Sequence, residues 1–212
     1  MKILSHRGKW ELKNDQNTMK SFISSFKEGM GIETDIRDFM GEIVISHDVP
    51  TSRSLLLEDV LINYNLFKDE TIFLALNVKS DGLYSHVNEL LRKHDIINYF
   101  VFDMSIPDTL GYMNEKLKFF VRQSEFELEP NLYNQANGIW LDSFHSEWYD
   151  IQLIQNHLDQ NKFVAIVSPE LHKREYMDFW KKLKSINLEK SNNIFLCTDF
   201  PNEANLFFNS IN

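Results

Sequence analysis

Short apolar runs bounded by polar residues recur along this chain: KILSH from residue 2, GIETDI from 31, TIFLALNVK from 71, YFVFDMS from 99, KFFVRQS from 118, GIWLDS from 138, FVAIVS from 163 and NIFLCTD from 193. Runs this short and this rich in Ile, Val and Phe read as buried strands. The stretches between them change to a helical period. NTMKSFISSFKEGM spaces Met19, Phe22, Ile23, Phe26 and Met30 at threes and fours, with Asn17 or Thr18 as N-cap. GLYSHVNELLRKHDI repeats the pattern behind Asp81 as a cap, and IQLIQNHLDQ and REYMDFWKKLKSI follow later. A last helix, NEANLFFNSI, comes after Pro201, a residue that suits a helix start. The weakest helix falls after KFFVRQS, where LEPNLYNQA holds little more than one turn.

Continuous apolar strands alternating with helices predict a parallel sheet covered by helices. Eight such units predict an α/β fold, a compact (β/α)8 TIM barrel forming a single domain over residues 1–212. The rival, an open doubly wound sheet, lacks its phosphate-binding G-x-G-x-x-G. One further run, EIVI at 42–45, follows DFMGE, whose Gly41 can supply a turn; it reads as an extra β-hairpin strand in the loop after barrel strand 2.

In a parallel barrel the C-terminal strand ends meet at one mouth. Those ends carry His6 and Arg7; Glu33, Asp35 and Arg37; Asn77 and Lys79; Asp103 and Ser105; Arg122 and Ser124; Asp142; Ser168 and Glu170; and Thr198 and Asp199. Residues two apart on a strand share a face, so Glu33 projects with Asp35 and Asn77 with Lys79. Two neighbouring carboxylates repel unless a cation or proton lies between them, and hard oxygen donors suit Ca²⁺ or Mg²⁺. Arg7 and Lys79 offer the fork and the point charge that bind phosphate, and each can equally neutralise its acidic neighbours. His6, and His47 at the end of the extra strand, suit an acid and base pair near neutral pH. His86, His94 and His157 fall on helices and read as solvent-facing or packed, whereas His145 and His172 lie in mouth-side loops.

Net charge of −9 argues against a general nucleic-acid partner. The single cysteine, Cys197, excludes an internal disulfide and reads as a buried strand thiol. The amino terminus lacks the apolar core of a signal peptide, and no window reaches transmembrane length, so a cytoplasmic location is the expectation. Membrane contact is not favoured, although Phe126, Phe144 and Trp148 sit in mouth-side loops.

The ordered set HRG at 6–8, NT at 17–18, ETD at 33–35 and HD at 47–48 resembles the glycerophosphodiester phosphodiesterase family, within the broader group of phosphatidylinositol-phospholipase-C-like barrel enzymes. The resemblance implies His6 and His47 as catalytic acid and base, Arg7 on the phosphate, Glu33 and Asp35 on a divalent cation, Lys79 in the lysine position of an E-x-K motif, and Asn17 as a structural tie. It implies a small phosphodiester as substrate. One departure matters: where E-x-K is expected this chain reads NVK, so Asn77 replaces a carboxylate ligand. An amide oxygen can still coordinate, but it brings no charge; Asp103 or Asp142 could complete the shell instead. Asp103, Arg122, Asp142 and Glu170 are further candidate substrate contacts.

Overall fold

The computed structural model describes residues 1–185, 187–188 and 191–209. Contacts within the chain group it into two compact units. One is Ser5–Phe119; the other joins Met1–Leu4 to Phe120–Asn212. The first strand, β1 (Lys2–His6), contributes to both.

In the Ser5–Phe119 unit the chain runs through α1 (Met19–Lys27), β2 (Gly31–Phe39), β3 (Glu42–Ile45), β4 (Leu55–Leu56), α2 (Leu57–Asn65), β5 (Leu74–Val78), α3 (Tyr84–Lys93), β6 (Tyr99–Phe102) and α4 (Ile106–Asn114). Strands β2, β5 and β6 pair in parallel, with Asp35 opposite Asn77 and Leu76 opposite Val101. Every residue of β5 and β6 is buried, as helix-covered strands require. The expected hairpin is present: β3 lies antiparallel on β2, Phe39 facing Glu42. Its two turn residues, Met40 and Gly41, both have positive φ (52° and 89°), the turn whose twist matches the flanking strands. β4, antiparallel to β3, has no counterpart among the apolar runs and exists through pairing alone.

Helix ends follow local chemistry. Thr18 caps α1 by accepting from Ser21 N, and Ser21 returns the bond to the Thr18 amide, a capping box. Ser105 caps α4, with Pro107 in the first turn. The expected cap at Asp81 does not form. Helix α3 starts later, behind Leu83, because Asp81 accepts instead from Ser105 Oγ at 3.1 Å. On the helix layer, Phe26 meets Tyr64 edge-on at 5.6 Å, burying α1 against α2; each fully buried ring contributes about 1.5–3 kcal/mol.

In the other unit β7 (Phe120–Gln123), β8 (Gly138–Leu141), β9 (Phe163–Val167) and β10 (Ile194–Thr198) pair in parallel in that order. They alternate with α5 (Ile151–Asp159), α6 (Met177–Ser185) and α7 (Pro201–Asn209). Between β7 and β8 the chain makes turns and no helix, as LEPNLYNQA suggested. α7 begins at Pro201 itself. The expected last residue of the α6 run, Ile186, and the end of the last run, Ser210 and Ile211, lie outside the described residues. Cys197 is fully buried. Trp180 anchors this core, its indole donating to Ser168 Oγ at 2.8 Å. No helix among the described residues is long and apolar enough to cross a membrane.

His157 is buried on α5, between Gln123 Oε1 at 2.8 Å and the Tyr133 hydroxyl at 2.9 Å. Burial, and then the charge of Lys162, push its pKa down to about 4, so the fold holds the neutral ring. The unfolded chain, with an ordinary histidine, takes up protons first as pH falls. The stability advantage of wild type over His157→Gln is therefore complete above about pH 6.5 and shrinks towards pH 4. Thermal unfolding of both proteins across that window checks this. Gly8 supplies a second test: its φ is +83°, and an added Cβ would lie 2.5 Å from Ser21 Oγ. Gly8→Ala should lower stability by roughly 1–3 kcal/mol, read by urea unfolding.

Candidate active site

The site residues of the Ser5–Phe119 unit gather at the C-terminal ends of β1, β2 and β5. His6 closes β1, and the chain then turns sharply through Arg7 (φ 58°) and Gly8. Backbone bonds hold that turn: Arg7 N donates to Glu33 O at 2.9 Å, and Asn17 N to Arg7 O at 2.9 Å. Helix α1 fastens it from the side. Lys9 N donates to Ser21 O (3.0 Å) and to Ser25 Oγ (2.8 Å), and Ser21 Oγ to Arg7 O (3.2 Å).

Asp35 is the hub. Its side chain is 1 % exposed, and it faces Arg7 Nε at 3.2 Å, Asn17 Nδ2 at 3.0 Å and Lys79 Nζ at 3.5 Å. Asn17 also accepts from Thr34 Oγ1 at 2.8 Å, which gives it the tying role expected of it. Lys79 reaches a second carboxylate, Asp103, at 3.9 Å. The two candidate phosphate-binding cations thus rest on Asp35, and that arrangement keeps both charges beside the strand ends.

Glu33 differs. It is equally buried, but its neighbours are His6 Nε2 at 3.9 Å and Asn77, whose Nδ2 donates to Glu33 Oε1 at 3.3 Å. Burial, then the negative charge of Asp35, push its pKa well above the usual carboxylate range; His6, Lys79 and Arg7 oppose this only in part. Glu33 Oε2 and Asn77 Oδ1 are buried and accept no hydrogen bond. Two hard oxygens on adjacent strands that accept no hydrogen bond fit a divalent cation, since leaving such a group unsatisfied costs about 1–3 kcal/mol. The oxygens of Asp35, also expected as ligands, face cations and an amide instead. Among the described residues no cluster of three or more His, Cys, Asp or Glu could hold a metal. The donor set here is one carboxylate and one amide.

His47 follows β3. Ser46 N donates to Asp35 O at 3.0 Å, and Arg37 Nε to His47 O at 3.2 Å, so the backbone of this loop is tied to β2. The imidazole is 49 % exposed, with Nδ1 against Asp48 Oδ1 at 2.9 Å. Asp48 orients a ring that solvent still reaches.

Arg122, Asp142 and Glu170 belong to the other unit, and each has partners there. Arg122 lies 5.8 Å over the Phe144 ring and 3.9 Å from Glu127. Asp142 accepts from Ser143 N at 2.8 Å and binds His172 Nε2 at 2.7 Å. Glu170 accepts from the hydroxyls of Ser168 and Thr198 and from Asp199 N, which braces the ends of β9 and β10. The His172 ring lies tilted against Phe144 at 4.7 Å, and His145 meets Phe126 edge-on at 5.6 Å. Phe126 is 68 % exposed, while the Trp148 indole donates to Asp142 O. His94 bonds Glu58 at 2.8 Å, a structural role like that of His157.

The sequence reading missed Ser21, Ser25 and Trp10. Ser21 and Ser25 were visible as polar residues one turn apart on the side of α1 that also carries Phe22 and Phe26. Trp10, whose indole Nε1 donates to His6 O at 2.9 Å, carried no signal.

No family model matches this sequence, and no curated protein does. Solved structures do. A glycerophosphodiester phosphodiesterase from Agrobacterium tumefaciens str. C58 aligns over 99 % of this chain and 100 % of its own, with a TM-score of 0.73 at 14 % identity. One from Parabacteroides distasonis ATCC 8503 aligns over 98 % and 96 %, with a TM-score of 0.68 at 14 % identity. A Ca²⁺-dependent phosphatidylinositol-specific phospholipase C from Streptomyces antibioticus aligns over 97 % and 96 %, with a TM-score of 0.62 at 9 % identity. The chain has the (β/α)8 barrel fold of the glycerophosphodiester phosphodiesterases and of this phospholipase C.

Proposed function

We propose that this chain hydrolyses a small phosphodiester, of glycerophosphodiester type, at the ends of β1, β2 and β5. The observation that carries the reading is the cluster around Asp35: Arg7 at 3.2 Å and Lys79 at 3.5 Å, beside His6 and the buried Glu33. Two cations gathered at one strand edge suit a ligand bearing negative phosphoryl oxygens. The fold supports the same reading, because glycerophosphodiester phosphodiesterases and a phospholipase C are among the solved structures that share it.

In this reading Arg7 and Lys79 bind the phosphoryl oxygens and offset the charge that grows on them towards the transition state. His6 and His47 divide the proton work: one takes a proton from the attacking oxygen, the other gives one to the leaving alkoxide. Asp48 orients His47 through Nδ1, and Glu33 faces His6 Nε2. Glu33 Oε2 and Asn77 Oδ1 would hold a divalent cation, Ca²⁺ or Mg²⁺, which when bound supplies Lewis-acid polarisation of a phosphoryl oxygen. Asn77 also favours a second reading, a phosphate-binding barrel without turnover, because a neutral ligand holds a cation less tightly than the carboxylate of E-x-K.

A chromogenic phosphodiester assayed with and without Ca²⁺ or Mg²⁺ separates the two readings; no chelator-sensitive turnover on any diester would favour the binder. In the active protein, His6→Ala and His47→Ala should each lower kcat by about 10²–10⁴-fold with the fold intact by circular dichroism. Wild-type rates in either variant would remove that histidine from the mechanism. Asn77→Asp sets a carboxylate against Glu33 Oε1 in place of the donating amide. In chelator its unfolding temperature should fall below wild type, and Ca²⁺ should raise it by more than it raises wild type. Equal Ca²⁺ responses would place the cation elsewhere.

A further inference from the structure

The segment that carries His6 and Arg7 continues into the wall of a cleft. Between this loop and α1 lies a cleft of about 400 Å³, within the size range of small-ligand sites. Trp10 and Ile23 give it apolar walls, and Lys9, Lys20 and Lys27 give it cations. Glu11 and Asp15 also line it, and Glu28 reaches Lys9 from outside the lining. Lys9 is held by Glu28, and Lys20 by Asp15 at 3.1 Å. The Lys27 side chain makes no hydrogen bond or ion pair among the described residues.

Two bonds make this cleft more than a surface depression. Trp10 lines it and donates its indole proton to His6 O at 2.9 Å. Lys9, on the same wall, is tied by its amide to Ser21 and Ser25 of α1, and Ser21 in turn holds Arg7 O. A molecule resting on the indole is therefore one hydrogen bond away from the backbone of His6.

We propose that this cleft binds a small amphipathic anion, a phosphate- or carboxylate-type head on a short apolar stem, and that the bound molecule lowers turnover at the His6 site through Trp10. The head meets Lys20 and Lys27; the stem lies against Trp10 and Ile23. Contact with the stem draws the indole from His6 O and loosens the loop that positions His6 and Arg7. The coupling rests on the phosphodiesterase reading, whereas binding in the cleft does not.

Hexyl phosphate is a suitable probe, with hexanoate to compare the two head groups. Titration into the wild-type protein should quench tryptophan fluorescence saturably and give a matching calorimetric isotherm. Trp10→Phe should lose the quenching. Lys20→Glu combined with Lys27→Glu should weaken calorimetric binding at least about tenfold, a change of about 1.4 kcal/mol. Lys181→Glu, on α6, should bind as wild type does. With a chromogenic diester the probe should lower kcat and leave KM unchanged. Absence of saturable binding, or binding indifferent to the two lysine substitutions, would overturn the site. Purely competitive inhibition would overturn the coupling by placing the probe on the substrate's phosphate position. Binding is also measured in His6→Ala, so a protein without diesterase activity would end the phosphodiesterase reading and the coupling while the cleft is still decided by its own titration.

Discussion

A single buried carboxylate organises the candidate site. Asp35 is almost wholly removed from water, and a bare charge there would cost several kcal/mol. It is compensated three times over, by Arg7, Asn17 and Lys79, which arrive from the turn after β1, the start of α1 and the end of β5. Each partner is separately constrained: Arg7 by backbone bonds to Glu33 and Asn17, Asn17 by Thr34, and Lys79 by the pairing of β5 with β2. Removing the carboxylate would leave two cations with no reason to converge. Retaining it presents two positive charges at one edge of the sheet, and they are useful to an anionic ligand because they are already paired and positioned.

Glu33 shows how environment separates two identical groups. Two residues along the same strand face, its one ion-pair neighbour among the described residues is His6, and burial raises its pKa, whereas Asp35 faces Arg7 and Lys79. Asn77 is the other half of this difference. A carboxylate at that position would add a second repulsion to Glu33, whereas the amide donates to one Glu33 oxygen and keeps its own oxygen available. The apo arrangement is thereby eased at the expense of charge for a cation.

Helix α1 has a supporting function that its amphipathic pattern conceals. Its Phe22 and Phe26 side packs into the core, and Ser21 and Ser25 sit among those rings as small residues with hydroxyls. They are small enough for the Gly8 turn to approach closely, and polar enough to bond Arg7 O and Lys9 N. Trp10 completes the clamp from beyond the turn. The positions of His6 and Arg7 are therefore set as much by the helix after the strand as by the strand.

Much of the fold was legible because its signals are local. Apolar runs placed eight strands; Asn17 or Thr18, and Pro201, marked helix starts; and Gly41 marked the hairpin turn. The alternation of Glu33 with Asp35, and of Asn77 with Lys79, put them on shared faces through the period-two geometry of a strand. What the linear pattern could not hold was partnership. Asp81 looked like a helix cap, but Ser105, 24 residues on, takes its oxygens. Glu170 looked like a ligand contact, but Ser168, Thr198 and Asp199 engage it. Asp35 was expected beside a cation by its chemistry alone, and the pattern could not show that Arg7 and Lys79 face it. Residue type and spacing determine which groups reach the strand ends; which oxygen meets which cation depends on distances of a few ångströms between segments remote in sequence, and only the folded chain sets those.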